Sequence, residues 1–140
     1  MLWLQPITLN RKEITMGCRG TIEIWENGAA PKDEESPVVL YTHWGAKDML
    51  TNLKTVLKRK TRWSDAAYLS RMIFCKMVEG DERGETGYGI MTNNVNDAEE
   101  EIVVDCDRQE VIVKEKDNNK TYTFSELAEQ YAEMNPPNCS

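Results

Sequence analysis

The spacing of apolar residues in this chain changes twice, and those changes leave few folds open. Over residues 18–26 the pattern alternates, with Ile22 and Ile24 on one face and Thr21, Glu23 and Trp25 on the other, the period of a half-buried strand. Residues 38–43 alternate again, Val39, Tyr41 and His43 opposing Val38, Leu40 and Thr42. Gly28, Pro31 and Pro37 mark the connection between these two runs as a turn, which predicts an antiparallel hairpin. From 46 to 60 the spacing turns helical on Met49, Leu50, Leu53, Val56 and Leu57, with basic residues at the C-terminal end where the helix dipole favours them. A second helix, capped by Ser64 or Asp65, runs to about residue 79 on Ala66, Leu69, Met72, Ile73 and Met77. Tyr68, Phe74, Cys75 and Val78 widen its stripe, which marks it as the buried helix of the pair.

Alternation then returns. A short strand begins in the glycine-rich run 87–90, and strands over 101–106 and 110–115 flank a glycine-free hairpin at Asp107-Arg108-Gln109. A short strand over 121–124 leads into a closing helix, 125–134, on Leu127, Ala128 and Tyr131, ended by Asn135-Pro136-Pro137. Strands in runs around a pair of helices predict an α+β fold: a mostly antiparallel sheet of five to six strands, a helical pair on one face and a short C-terminal helix. One domain over 16–134 is expected, with 1–15 an N-terminal arm or leader and 135–140 a tail; 140 residues suffice for one core.

A net charge of −7 argues against a nucleic-acid partner, because phosphate binding depends on Lys and Arg displacing counterions. Lys54, Lys58, Arg59, Lys60 and Arg62 nevertheless form a basic island. No apolar run approaches the roughly 18 residues of a membrane helix, so no membrane partner is expected. Cys18, Cys75, Cys106 and Cys139 are scattered without a C-x-x-C pair and His43 is the one histidine, so neither a metal site nor a cofactor is implied. The acidic residues between 97 and 107 fit no calcium loop and read as a solvated edge. With no secretory leader, reduced thiols and a cytoplasmic location follow, the host cytoplasm if the protein is viral.

Two motifs carry the candidate chemistry. Tyr41-Thr42-His43-Trp44-Gly45 closes the second strand, and Glu85-Thr86-Gly87-Tyr88-Gly89-Ile90 follows the second helix. Together with the Arg62-Trp63 connection they give a candidate ligand-binding set of Tyr41, His43, Trp44, Arg62, Trp63, Glu85 and Tyr88. The aromatic rings offer flat faces for a stacked base, and Arg62 with the helix-end lysines offers a phosphate grip. The plainer alternative is that Trp44 and Trp63 seal the two ends of the first helix as core, with His43 hydrogen-bonded to Glu85. Gly84, Gly87 and Gly89 follow a helix and open a strand, the reverse of a phosphate loop, so they read as places where backbone turns or approaches a neighbour. A thiol nucleophile would need Cys75 or Cys18 beside His43 and an orienting Glu85. Cys75 reads as packing, and Cys18 as an N-terminal nucleophile would require removal of everything before it, so the balance leans away from an enzyme.

These motifs, with Arg62-Trp63, Asp65, Tyr68-Leu69, Arg71-Met72-Ile73-Phe74 and Val104-Asp105, resemble a widespread uncharacterised family of small proteins from bacteria, archaea and their phages, over residues 16–124. That family tends to carry a second glycine where Ala46 stands and an aspartate at Cys18. The resemblance implies site positions and a phage or host-defence setting, without a reaction. The expected function is a small soluble binding protein for a small anionic or nucleotide-like ligand. One alternative is an acidic, inhibitor-like protein-interaction module, and another a small hydrolase using His43 and Glu85. A homo-oligomer is compatible with each.

Overall fold

The computed structural model describes residues 18–28, 36–92 and 98–130; the expectations for 1–15, for the remainder of the closing helix and for the tail lie outside these. One six-stranded sheet runs β3-β2-β1-β4-β5-β6. Its strands are β1 (Gly20–Trp25), β2 (Val38–Thr42), β3 (Tyr88–Met91), β4 (Glu100–Asp105), β5 (Glu110–Lys114) and β6 (Lys120–Thr123). Four of the five pairings are antiparallel, and β1 and β4 pair parallel at the centre. Alternation in the sequence assigns faces, not partners, which is why this parallel seam was not anticipated. The helices are α1 (Met49–Leu57), α2 (Ala66–Met77) and α3 (Phe124–Glu129), with a 3-10 turn at Ala46–Asp48 ahead of α1. The fold is α+β, as expected.

Register explains the core. Ile22 pairs with Leu40 and Ile102, and Val104 with Val111, so one face of the sheet is aliphatic across its centre. Met49, Leu53 and Leu57 of α1, Leu69 and Ile73 of α2 and Phe124 and Leu127 of α3 join that face in one buried cluster. Each such side chain contributes about 1.5–3 kcal/mol on leaving water. Gly20 admits the close approach: a Cβ there would lie 2.6 Å from the Met49 methyl and 2.8 Å from Ala46 Cβ. On the opposite face Thr21, Trp25, Val39 and Val103 are buried too.

Local signals set the boundaries. Asp65 caps α2 by accepting the Tyr68 N–H at 3.1 Å, and Thr123 and Glu126 form a reciprocal capping box on α3. The glycine-free β4–β5 hairpin is made by buried Asp105, whose Oδ1 accepts the N–H groups of Asp107 and Arg108 at 3.0 and 2.9 Å. Gln109 supplies its left-handed residue at φ 56°. The wide stripe on α2 is only partly buried: Tyr68 and Cys75 face solvent, which corrects the expectation that Cys75 packs inside. Lys54, counted in the basic island, is instead 3% exposed on α1.

Candidate binding site

Six of the seven candidate residues fall into two corners. At the first, β2 ends beside β3. The His43 N–H donates to the Gly87 carbonyl at 2.8 Å, and the Gly45 N–H donates to Thr42 Oγ1 at 2.8 Å, turning the chain sharply out of the strand. This turn sets Tyr41, His43, Trp44 and Tyr88 side by side. Tyr41 Oη and His43 Nδ1 are 3.1 Å apart, and His43 packs edge-on against Trp44 with ring centres at 5.7 Å. Trp44 packs edge-on against Tyr88 at 6.2 Å. Gly87 makes room for the indole: its φ is 103°, and a Cβ there would lie 2.3 Å from Trp44 Cζ2. Trp44 remains 41% exposed.

Arg62 and Trp63 stand elsewhere. Trp63 packs edge-on against Phe124 at 5.5 Å, directly after β6, whereas Tyr88 lies on β3. These are the two outer strands of the sheet, five strand spacings or roughly 24 Å apart. Helix α1 spans between them, since Trp44 precedes it and Trp63 follows it. The expected single constellation is therefore two sites, separated because α1 carries the chain across the sheet.

Three members of the basic island, Lys58, Lys60 and Arg62, are engaged at the second corner. Lys58 Nζ donates to the carbonyls of Ala128 and Gln130, at the C-terminal end of α3. Lys60 pairs with Glu129 at 3.2 Å and Arg62 with Asp65 at 3.6 Å. The Arg62 guanidinium also lies over the Tyr68 ring at 4.4 Å. Gln109 Nε2 donates to Ser64 Oγ at 3.1 Å, and the Gln109 carbonyl accepts the Phe124 N–H at 2.8 Å. These contacts bind the helix connection to the last strand and helix, and they engage Lys58, Lys60 and Arg62 there.

No match to a family model, to a curated protein or to a solved structure was found.

Glu85 is exposed, and the partner of His43 Nδ1 is Tyr41. The His43–Glu85 hydrogen bond expected of a structural histidine, and equally of an acid–base pair, is not made. The thiol routes also lose ground. Cys18 is disulfide-bonded and 5% exposed, a correction to the expectation of four reduced cysteines. Burial, with Asp105 next in effect, pushes the Cys106 thiol up to about 12, which suppresses its thiolate. Cys75 is exposed and accepts a weak contact from Arg71 Nη1 at 3.7 Å. Thr42 and Gly87 belong to the two motifs but not to the seven-residue set, and both build the corner, Gly87 by the close approach expected of its run. The signal for both was the strand register, since Thr42 pairs with Tyr88.

Proposed function

We infer that the chain is a small binding protein whose site is the β2–β3 corner, and that it takes a flat, hydrogen-bonding ring of the nucleobase class. The supporting observation is Trp44, which is 41% exposed yet seated on the Gly87 backbone and braced by His43 and Tyr88. An exposed indole held this way has already lost its rotamer freedom, so stacking a ring on it costs little further entropy. The Tyr41 hydroxyl and the His43 imidazole supply the few polar atoms that orient a ligand in such a site. Arg62, the cation expected to grip a phosphate, lies at the other corner with Asp65 and Tyr68, as do Lys58 and Lys60 with partners of their own.

Titration with adenosine, guanosine, cytidine and uridine, none of which carries phosphate, tests this by calorimetry and indole fluorescence. Saturable binding to at least one is expected. Trp44→Ala should weaken it by roughly ten- to a hundredfold, since stacking on an aromatic residue is worth about 1–3 kcal/mol, while Arg62→Ala leaves it unchanged. No saturation by any of the four at millimolar concentration overturns the proposal. One observation favours a second reading: Ile90 is 62% exposed on the outer strand β3, which suits a protein partner that adds a strand there. In that case no nucleoside binds, and a charge at Ile90 abolishes the complex.

A further inference from the structure

The glycines of the Gly87-Tyr88-Gly89 run are not equivalent. Gly87 is required by the fold, both for its positive φ and for its contact with Trp44. Gly89 is required by neither: it lacks a positive φ, and a Cβ placed on it meets nothing within 4 Å among the described residues. Yet glycine is a poor strand residue, disfavoured by its backbone freedom.

Its surroundings suggest why it is there. Gly89 pairs with Tyr41 and Met91 with Val39, so these four share the sheet face opposite the helices. An aromatic residue directly across from a glycine commonly folds over it. Tyr41 does not; its hydroxyl reaches along its own strand to His43 Nδ1, leaving the glycine uncovered by any described residue. Among the described residues this leaves a notch at Gly89, floored by β3 backbone, with Tyr41 across from it, Met91 two residues on, and Gly87, in contact with Trp44, two residues back. Burial fades towards it, from fully buried Val39 to half-buried Tyr41 and His43. Same-face positions on a strand repeat every 6.7 Å or so, so the space left by one absent side chain admits a single ring and crowds a fused pair. His43 Nε2 has no hydrogen-bond partner among the described residues, so a polar atom is available beside the notch.

The geometry points to Gly89 as a specificity-determining position that keeps a one-ring notch open for a pyrimidine base, a conclusion that rests on the proposed ring-binding corner. The base lies over the Gly89 peptide, against Trp44, with its edge towards the Tyr41 hydroxyl and the His43 imidazole.

The experiment compares cytidine, uridine, adenosine and guanosine on the wild type, Gly89→Ala, Gly89→Val and Trp44→Ala, with a thermal melt of each protein. Tighter binding of a pyrimidine nucleoside than of either purine is expected. Gly89→Val should weaken it at least tenfold and Gly89→Ala by less, with neither melting below the wild type. Preference for a purine overturns the inference. So does wild-type affinity in Gly89→Val when Trp44→Ala has lost binding; the corner then stands without the notch. A melting point several degrees lower in Gly89→Ala shows that the glycine serves the fold and overturns it equally. Failure of all four nucleosides on the wild type removes the corner itself.

Discussion

Trp44 and Trp63 flank the same helix in the sequence, and each packs edge-on against another aromatic ring. They differ in what the chain does next. Beyond Trp63 come Phe124 at 0% exposure, the capped α3 and the Gln109–Ser64 link, all supplied by the last described strands and helix. At Trp44 the outer strand β3 ends the sheet, and the indole keeps a solvent-facing surface. The same residue types thus serve as a seal where a later element arrives to cover them, and as a platform where no described element does. Residue type is a weak guide to role; the order of strands in the sheet decides.

That contrast is most strongly tested at Phe124. Phe124→Ala should cost about 3–5 kcal/mol in urea unfolding, as for large-to-small changes in packed cores. A loss below about 1 kcal/mol would mean the second corner is not sealed. Gly87→Ala should cost roughly 2 kcal/mol, from the strain of a positive φ and the collision with Trp44, and acrylamide should then quench the Trp44 indole more readily. Trp44→Ala should cost about 1 kcal/mol or less, because a side chain already exposed to water has less to lose.

Gly89→Ala should gain about 0.5 kcal/mol, since the alanine fits the strand and narrows the unfolded ensemble. The smallest effect lies on the seam between the corners. Burial raises the Glu100 carboxyl above its ordinary value, with repulsion from Glu115 and Glu99 adding to it. Its favourable contribution is therefore present only below the ordinary carboxylate value and disappears as pH climbs through the raised one. Glu100→Gln should raise the melting temperature slightly at pH 7 and leave it unchanged at pH 3.5.

Much of the fold was legible because each element carries its own signal. Ile22 and Ile24 alternate, Leu53 and Leu57 are one helical turn apart, and Asp65 stands where a cap belongs. The first corner was legible for a similar reason: Tyr41, His43 and Trp44 are neighbours in the chain, and Tyr88 opens the strand next to theirs. Arg62 and Trp63 were misplaced because no local pattern reports how far a helix carries the chain. Cys75 was misjudged because an apolar stripe can be wider than the surface available to bury it. The unequal needs of Gly87 and Gly89 depend on what lies above each, and that is absent from the letters.

The parallel seam also governs the order in which the molecule can assemble. Its partners are 80 residues apart, as the Arg19 N–H to Glu99 Oε1 bond illustrates, whereas β4 and β5 meet through a four-residue turn. A nascent chain can form its first hairpin and its first two helices early, but β1 keeps a bare edge until β4 has been synthesised. Closing that long loop should limit the refolding rate, and aggregation through the waiting edge competes with it.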